Sequence, residues 1–141
     1  MKNLFIFKSN EFKILSIFYD MINRISTSKN ENNILLDAMQ YLEDNISNPA
    51  LSNSILAGQI GFSEVYFRKV FKKQYGISPK QYILNVRIKM AKQLLSEHLS
   101  KISEISERCG FSSVYHFSRA FSSRVGMTPS EYAKQNKFLK I

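Results

Sequence analysis

Residues 105–132 have the sequence ISERCGFSSVYHFSRAFSSRVGMTPSEY, and residues 56–82 have the sequence LAGQIGFSEVYFRKVFKKQYGISPKQY. The two stretches are copies of one pattern. Gly-Phe-Ser recurs at an offset of 49 and later positions recur at an offset of 50, so one residue, which we assign to His116, is extra in the second copy. An internal repeat of this kind predicts two similar structural units in tandem. The later pairs are Phe67 and Phe117, Phe71 and Phe121, Gly76 and Gly126, Pro79 and Pro129, and Tyr82 and Tyr132.

Each copy has the pattern of a short helix, a glycine turn, a second helix and a capped third helix. Gly61 and Gly110 predict a left-handed turn after the short helix. Ser63 and Ser112 are expected to cap the second helix, whose aromatic residues recur at intervals of three and four. Ser-Pro or Thr-Pro then begins the third helix. A helix, a short glycine turn and a second helix are typical of a helix-turn-helix unit.

One long helix is predicted between the copies, from Pro79 to about His98. At about 1.5 Å per residue its length is about 30 Å, close to one turn of B-DNA, about 34 Å. A rod of this length can place two recognition helices in successive major grooves on one face of the duplex. Ile34–Ile46 is predicted to be a further amphipathic helix that covers the first copy. We therefore assign residues 34–137 to one domain and residues 138–141 to a tail.

Residues 1–33 have a different character. Phe12–Ile25 predicts an amphipathic helix, and Ser26–Asn33 a polar linker that marks the domain boundary. The apolar face of the Phe12–Ile25 helix has no partner in the repeated unit. We expect it to self-associate or to dock on another domain.

The charge of the chain favours a polyanionic partner. Lys and Arg number 20 against 11 Asp and Glu, a net charge of +9, and residues 34–141 carry +7 of it. Nucleic acid and an anionic membrane both fit this excess, and a solvated basic surface without a partner is the alternative. The apolar runs are shorter than the roughly 18 residues that a bilayer requires, and Lys8 and Lys13 interrupt any signal peptide. We expect a cytoplasmic protein without membrane contact.

The sequence carries no pattern of catalytic or metal-binding residues. Cys109 is the only cysteine and falls at an apolar helical position, so a buried structural thiol is expected. The two histidines, His98 and His116, are 18 residues apart, with no nucleophile and base and no phosphate loop. We expect neither an enzyme nor a bound metal or cofactor.

At this point the repeat resembles the AraC/XylS family of bacterial transcription regulators, over about Ile34 to Tyr132. The resemblance implies an all-α domain of seven helices, in which two helix-turn-helix modules of homeodomain-like three-helix type are joined by a long central helix. It also implies sequence-specific binding of double-stranded promoter DNA and activation through contact with RNA polymerase. The motifs that carry it are Leu56-Ala57, Gly61-Phe62-Ser63, Tyr66-Phe67, Phe71-Lys72, Gly76-Ile77-Ser78-Pro79, Tyr82, Arg87, Ala91, Leu94-Leu95, Ile105, Gly110-Phe111, Phe117, Arg119-Ala120-Phe121 and Gly126-Met127-Thr128-Pro129.

Full-length relatives of this family often carry an N-terminal sensing and dimerisation domain. The resemblance therefore implies that residues 1–33 are the remnant of such a domain, and that the chain is a fragment or a shortened member. A homodimer formed through the N-terminal segment is a candidate assembly.

The resemblance also implies which residues contact bases, and charge and helix N-termini indicate which contact phosphates. Arg68 and Arg119 can offer a bidentate fork to guanine, and a valine can contact a thymine methyl group. Phosphate contacts position the protein without specifying sequence, and helix N-termini can contribute to them. The expected base contacts are Val65, Arg68, Lys69, Val114, Tyr115, His116, Ser118 and Arg119. The expected phosphate contacts are Ser52, Lys72, Lys73, Arg87, Lys89 and Ser100.

Several of these residues have a structural interpretation as well. Lys72-Lys73 can be merely solvated, and Arg119 can instead pair with an acidic neighbour. His116 can contact a base, contact a phosphate or pack at the turn. Tyr66 and Tyr115 are expected to pack half-buried rather than to contact bases.

A module that binds a protein rather than DNA is the competing function. The cluster Arg68, Lys69 and Lys72-Lys73 in the first copy favours DNA, whereas Ser122-Ser123 occupies the matching place in the second copy. We therefore expect the first module to supply more of the electrostatic attraction. Membrane binding is less favoured because the charges of the Phe12–Ile25 helix are mixed rather than basic.

Overall fold

The computed structural model describes residues 14, 17–19, 21, 22 and 30–137, and in this part of the chain the regular structure is entirely helical. Two compact units, residues 1–37 and 38–141, divide the chain, and each is described by itself. The expected all-α class with seven helices is confirmed. The helices are α1 (30–44), α2 (Asn53–Gln59), α3 (Glu64–Tyr75), α4 (Pro79–Glu97), α5 (Ile102–Arg108), α6 (Val114–Val125) and α7 (Pro129–Lys137).

The first unit contains part of the predicted N-terminal helix. Residues 14, 17–19, 21 and 22 are helical, in agreement with the prediction, and their apolar side chains are exposed. The rest of the Phe12–Ile25 helix and the 138–141 tail lie outside the described residues.

The predicted polar linker is wrong in its second half, because residues 30–33 are helical and belong to α1. Asn30, Asn32 and Asn33 are exposed, whereas Leu35 is buried. Polar residues are normal on the outer face of an amphipathic helix, so the run of polar residues did not indicate a break between helices. The boundary expected between residues 33 and 34 therefore falls inside α1. This helix also ends at residue 44, two residues before Ile46, with a turn over residues 45–47.

The serine that caps the second recognition helix is Ser113 and not Ser112. The backbone N–H of His116 donates to Ser113 Oγ at 3.1 Å, as that of Tyr66 donates to Ser63 Oγ at 3.2 Å. Both helices have 12 residues, so they match at an offset of 50 from their caps onward. The extra residue of the second copy is therefore Ser112 in the turn, and the assignment to His116 was wrong. The pair Val-Tyr occurs in both copies, as Val65-Tyr66 and Val114-Tyr115 at an offset of 49, so residue type favoured the alignment that the helix caps exclude.

The two modules repeat the same aromatic packing. Phe71 contacts Tyr82 with ring centroids 5.6 Å apart and an interplanar angle of 76°, and Phe121 contacts Tyr132 at 5.5 Å and 75°. Both phenylalanines are completely buried. Burial of such a side chain contributes about 1.5–3 kcal/mol, so these pairs anchor each recognition helix on the helix that follows it.

Helix α4 is continuous over 19 residues, as predicted, and is about 28 Å long at about 1.5 Å per residue. Ser78 and Gln81 form a capping box at its start, and His98 ends it in the left-handed region at φ 56°. Its Ile88, Ala91 and Leu95 belong to the core of the second module. One helix therefore carries part of the second core while its first turn packs on α3.

Candidate nucleic-acid interface

Helix α3 presents one face to solvent opposite its buried phenylalanines. Phe67 and Phe71 are fully buried, whereas Val65 is 71% exposed. The basic side chains of α3 are exposed as well, at intervals of three and four from Val65. They are Arg68, Lys69, Lys72 and Lys73. The residues expected to contact DNA from the first module therefore share one accessible surface, which we call the α3 face.

Helix α6 presents the equivalent α6 face, and the cap at Ser113 decides its register. Tyr115 corresponds to Val65 and Arg119 to Lys69, while Ser118 takes the place of Arg68. The side chain of Ser118 is half-buried, and Val114, at the place of Glu64, is 41% exposed. The two faces are thus equivalent in position and different in chemistry.

Tyr115 is 68% exposed, so the expectation that it packs half-buried was wrong. Arg119 Nη1 donates to Tyr115 Oη at 3.1 Å, and the guanidinium carbon lies 5.6 Å from the ring centroid. The alternative that Arg119 pairs with an acidic neighbour is not what the structure shows. Together the two side chains offer a phenol, an aromatic ring and a cation at one place on the α6 face. Tyr66 is 41% exposed and contacts the Phe62 ring edge-on at 4.9 Å.

The His116 side chain is exposed, while its backbone N–H is bonded to the cap at Ser113. Packing at the turn is therefore not its role. Ser106, fully buried, makes the contact that closes this turn, because its hydroxyl donates to the carbonyl of Ser113 at 3.2 Å.

Arg87 was expected to contact phosphate, but its side chain bonds to backbone carbonyls within the protein. Its Nε donates to the carbonyl of Ile46 at 3.1 Å and its Nη2 to that of Asn48 at 2.8 Å. The side chain is half-buried, and this burial lowers the pKa of the guanidinium. Since two of its donors are engaged by backbone within the protein, the structure gives Arg87 an internal role.

The two helix N-termini expected to meet phosphate differ as well. Ser52 caps α2, with its hydroxyl accepting from the N–H of Ile55 at 3.3 Å. Helix α5 begins at Ile102 with Lys101 as its cap, so Ser100 lies one residue before the cap, and its phosphate contact stays a prediction.

Arg124 was missed by the sequence reasoning. It is exposed near the end of α6, donates to Asn85 Oδ1 of α4, and lines a shallow cavity with Lys89 and Lys92. Its equivalent in the first copy, at an offset of 50, is the uncharged Gln74, so the repeat does not indicate a basic residue at this position.

The remaining chemistry of the described residues is limited. Cys109 is fully buried, and this burial raises the pKa of its thiol to about 11. Among residues 30–137 and the few described before them, no three His, Cys, Asp or Glu side chains form a group that could hold a metal ion. No helix in the described part of the chain is long and apolar enough to cross a membrane.

A family model described as a helix-turn-helix domain matches residues 56–135, more than half of the chain. The chain belongs to the AraC/XylS family of transcriptional regulators. This is a family of regulators and not of enzymes, in agreement with the expectation from sequence. Among its relatives the AraC/XylS chain is 37% identical over 101 residues to the probable transcriptional regulator LumQ of Photobacterium leiognathi. That alignment covers 72% of this chain and 40% of LumQ.

Two solved structures have a similar fold. The C-terminal domain of the response regulator yesN from Fusobacterium nucleatum is 30% identical with a TM-score of 0.69, over 72% of this chain and 98% of that one. A Chromobacterium violaceum transcriptional regulator with an AraC-type DNA-binding domain is 32% identical with a TM-score of 0.65, over 77% and 96%. The chain spans less than half the length of the curated relatives, 40% for LumQ and 34% for the regulator ArgR of Pseudomonas aeruginosa.

Proposed function

We propose that this protein binds duplex DNA in a sequence-specific manner and regulates transcription, with α3 and α6 in successive major grooves. One observation carries the proposal: two recognition helices of 12 residues, each with a buried phenylalanine face and an accessible face, are joined by one continuous helix of 19 residues. A helix fits the major groove, and a rod of about 28 Å is comparable to the groove repeat of about 34 Å.

The accessible faces suggest how bases are contacted. In our proposal Lys69 and Arg119 meet equivalent positions of two half-sites, and Arg119 offers guanine a rigid planar fork where Lys69 offers a flexible ammonium group. Val65 and Tyr115 lie at the equivalent apolar positions, where a valine fits a thymine methyl group. The proposed base contacts are Val65, Arg68 and Lys69 on α3, and Val114, Tyr115, His116, Ser118 and Arg119 on α6.

Phosphate contacts are proposed for Lys72, Lys73 and Lys89, all of which are exposed, for Ser52 at the N-terminus of α2, and for Ser100 one residue before the cap of α5. Arg87 is omitted because its donors bond to backbone carbonyls. The first module carries more positive charge on its recognition helix, α3, so we assign it the larger share of the non-specific affinity for DNA.

The finer biology is likewise a proposal. We assign residues 34–137 to DNA binding, with the protein acting in the cytoplasm as an activator that contacts RNA polymerase, as is common in this family. The exposed apolar residues of the N-terminal helix are proposed to mediate homodimer formation.

Selection of bound sites from a random duplex library tests the central proposal. We expect two short enriched motifs with centres one helical turn apart, about 10–10.5 base pairs. The variant Arg119→Ala should leave one motif intact and degrade the other, which identifies the half-site of each module. Recovery of a single motif, or of no motif at all, would contradict insertion of both helices.

A further inference from the structure

Arg87 connects two parts of the chain that belong to different modules. It projects from the middle of α4, and its Nε and Nη2 donate to the carbonyls of Ile46 and Asn48, in the turn between α1 and α2. On the other side its guanidinium carbon lies 6.0 Å from the centroid of the Phe111 ring, in the helix-turn-helix turn of the second module. The side chain therefore touches a turn of each module.

Gly110 shows how closely these turns approach. A Cβ atom built on this buried glycine would lie 2.4 Å from the carbonyl oxygen of Ile46 and 2.9 Å from Arg87 Nε. The equivalent Gly61 has a similar left-handed backbone, with φ 71° against 81°, yet a Cβ there would meet nothing within 4 Å. The steric requirement at Gly110 thus comes from the contact between modules and not from the turn itself.

We propose that Arg87 and Gly110 fix the relative orientation of the two helix-turn-helix modules, and that Arg87 is a positioning residue that sets which half-site spacing is accepted. The α4 helix joins the modules along one line, so only its own stiffness resists bending and twisting between them. A second connection, away from the helix axis, restricts both motions. The planar guanidinium suits this task because it donates in two fixed directions, whereas lysine donates from one flexible point.

A rigid pair of modules gives the second half-site a high effective concentration once the first is bound. It also makes spacing critical, because each inserted base pair rotates one half-site by about 35° about the duplex. The spacing part of this inference rests on the proposed binding of DNA, and the orientation part does not. The two parts can therefore be tested separately.

The orientation is tested without DNA, by spin labels on exposed positions of different modules. Gln74→Cys on α3 and Ser103→Cys on α5 are suitable sites, and the buried thiol of Cys109 stays unlabelled in the folded protein. We expect a narrow distance distribution in the parent and one at least about twofold broader in Arg87→Met. Arg124→Met is the matched control, because Arg124 bonds to α4 but not to the 46–48 turn. An unchanged width in Arg87→Met would overturn the inference.

A pair of glycine variants tests the same orientation if Arg87→Met does not fold. Gly110→Ala and Gly61→Ala carry the same left-handed strain, but only the first puts a methyl group against Ile46 and Arg87. We expect a shifted or broadened distribution in Gly110→Ala and the parent distribution in Gly61→Ala. Identical distributions in both variants would overturn the inference.

Spacing is tested on the selected site and on the same site with one base pair inserted between half-sites. We expect the insertion to weaken binding by the parent about tenfold or more, and by Arg87→Met less than about threefold, with affinity for single half-sites unchanged within about twofold. If Arg87→Met keeps the full penalty, the spacing role is wrong. If the parent binds the lengthened site as tightly as the selected site, the proposal that both helices occupy major grooves fails. The spin-label distances then still test the relative orientation of the modules.

Discussion

At the scale of single residues, Lys69 and Arg119 show how equivalent cations differ between the modules. The two occupy equivalent positions, but Arg119 bonds to Tyr115, four residues earlier on the same face. That contact restricts the guanidinium before any ligand arrives, so less rotamer freedom is lost on binding. The second module is therefore expected to discriminate bases by one oriented fork, and the first to rely more on charge.

The change Arg119→Ala should weaken binding to the selected site by about 1–3 kcal/mol and relax the preference at one base pair. Affinity for the selected site and for its three single-base variants at that base pair measures this. Arg108→Ala removes an equal charge from an exposed position of α5 and serves as the control. An unchanged base preference in Arg119→Ala would show that α6 does not contact bases through this residue.

At the scale of helices, the caps determine which residues of the two copies are equivalent. Loss of a serine cap leaves helix N–H groups without a protein acceptor and costs about 1 kcal/mol. Ser113→Ala should therefore lower the free energy of unfolding by about that amount, as should Ser63→Ala, whereas Ser112→Ala should leave it nearly unchanged. Urea unfolding of the three variants gives the comparison. A larger loss in Ser112→Ala than in Ser113→Ala would restore the other register.

Helix positions could be predicted from sequence because each end carries its own chemical marker. Glycines end α3 and α6, and Ser78-Pro79 begins α4, so these elements follow from local rules. The register of α6 could not be predicted, since Val65-Tyr66 and Val114-Tyr115 match at an offset of 49 whereas the helix caps match at 50. The helical structure of residues 30–33 was also not predicted, because composition does not distinguish the polar face of a helix from a linker.

The pair Lys72 and Lys73 makes α3 the more basic recognition helix, and this has a measurable consequence. The double variant Lys72→Ala with Lys73→Ala should reduce the slope of log affinity against log salt by about 1.8, since each released phosphate contact contributes about 0.9. Its base preference should not change. Ser122→Ala with Ser123→Ala alters the equivalent positions of α6 without changing charge and should keep the parent slope. Equal slopes in all three proteins would remove the lysines from the phosphate contacts.

At the scale of the whole molecule, the repeat predicted two modules but not the contact between them. The partners of Arg87 are backbone carbonyls 39 and 41 residues away, and a carbonyl is present at every position of every sequence. Sequence reasoning therefore assigned this arginine to phosphate from its charge and its place on α4. The same limit applies to Tyr115, whose exposure depends on the register of α6. The role of a residue could be predicted where it depends on residue type. It could not be predicted where it depends on which other groups lie nearby in the folded structure.

The N-terminal helix raises the remaining question at this scale, because its described apolar residues are exposed. Ile14, Phe18 and Ile22 recur at intervals of four, and each is at least half exposed, which leaves an apolar stripe in contact with water. Covering this stripe with that of a second copy would remove it from water on both chains, at about 25 cal/mol per Å² of apolar surface. Two copies would also bring four helix-turn-helix modules to one operator.

We therefore expect the protein to sediment as a dimer at tens of micromolar, and Phe18→Glu with Ile22→Glu to sediment as a monomer, because two carboxylates cannot be buried unpaired in such a contact. Leu99→Glu is the matched control, since Leu99 is an isolated apolar residue that is 83% exposed between α4 and α5. Helix content by circular dichroism should be the same in all three proteins. A parent that is monomeric across this range would refute self-association. A control that dissociates as readily as the double variant would show that added negative charge, and not the stripe, controls the assembly.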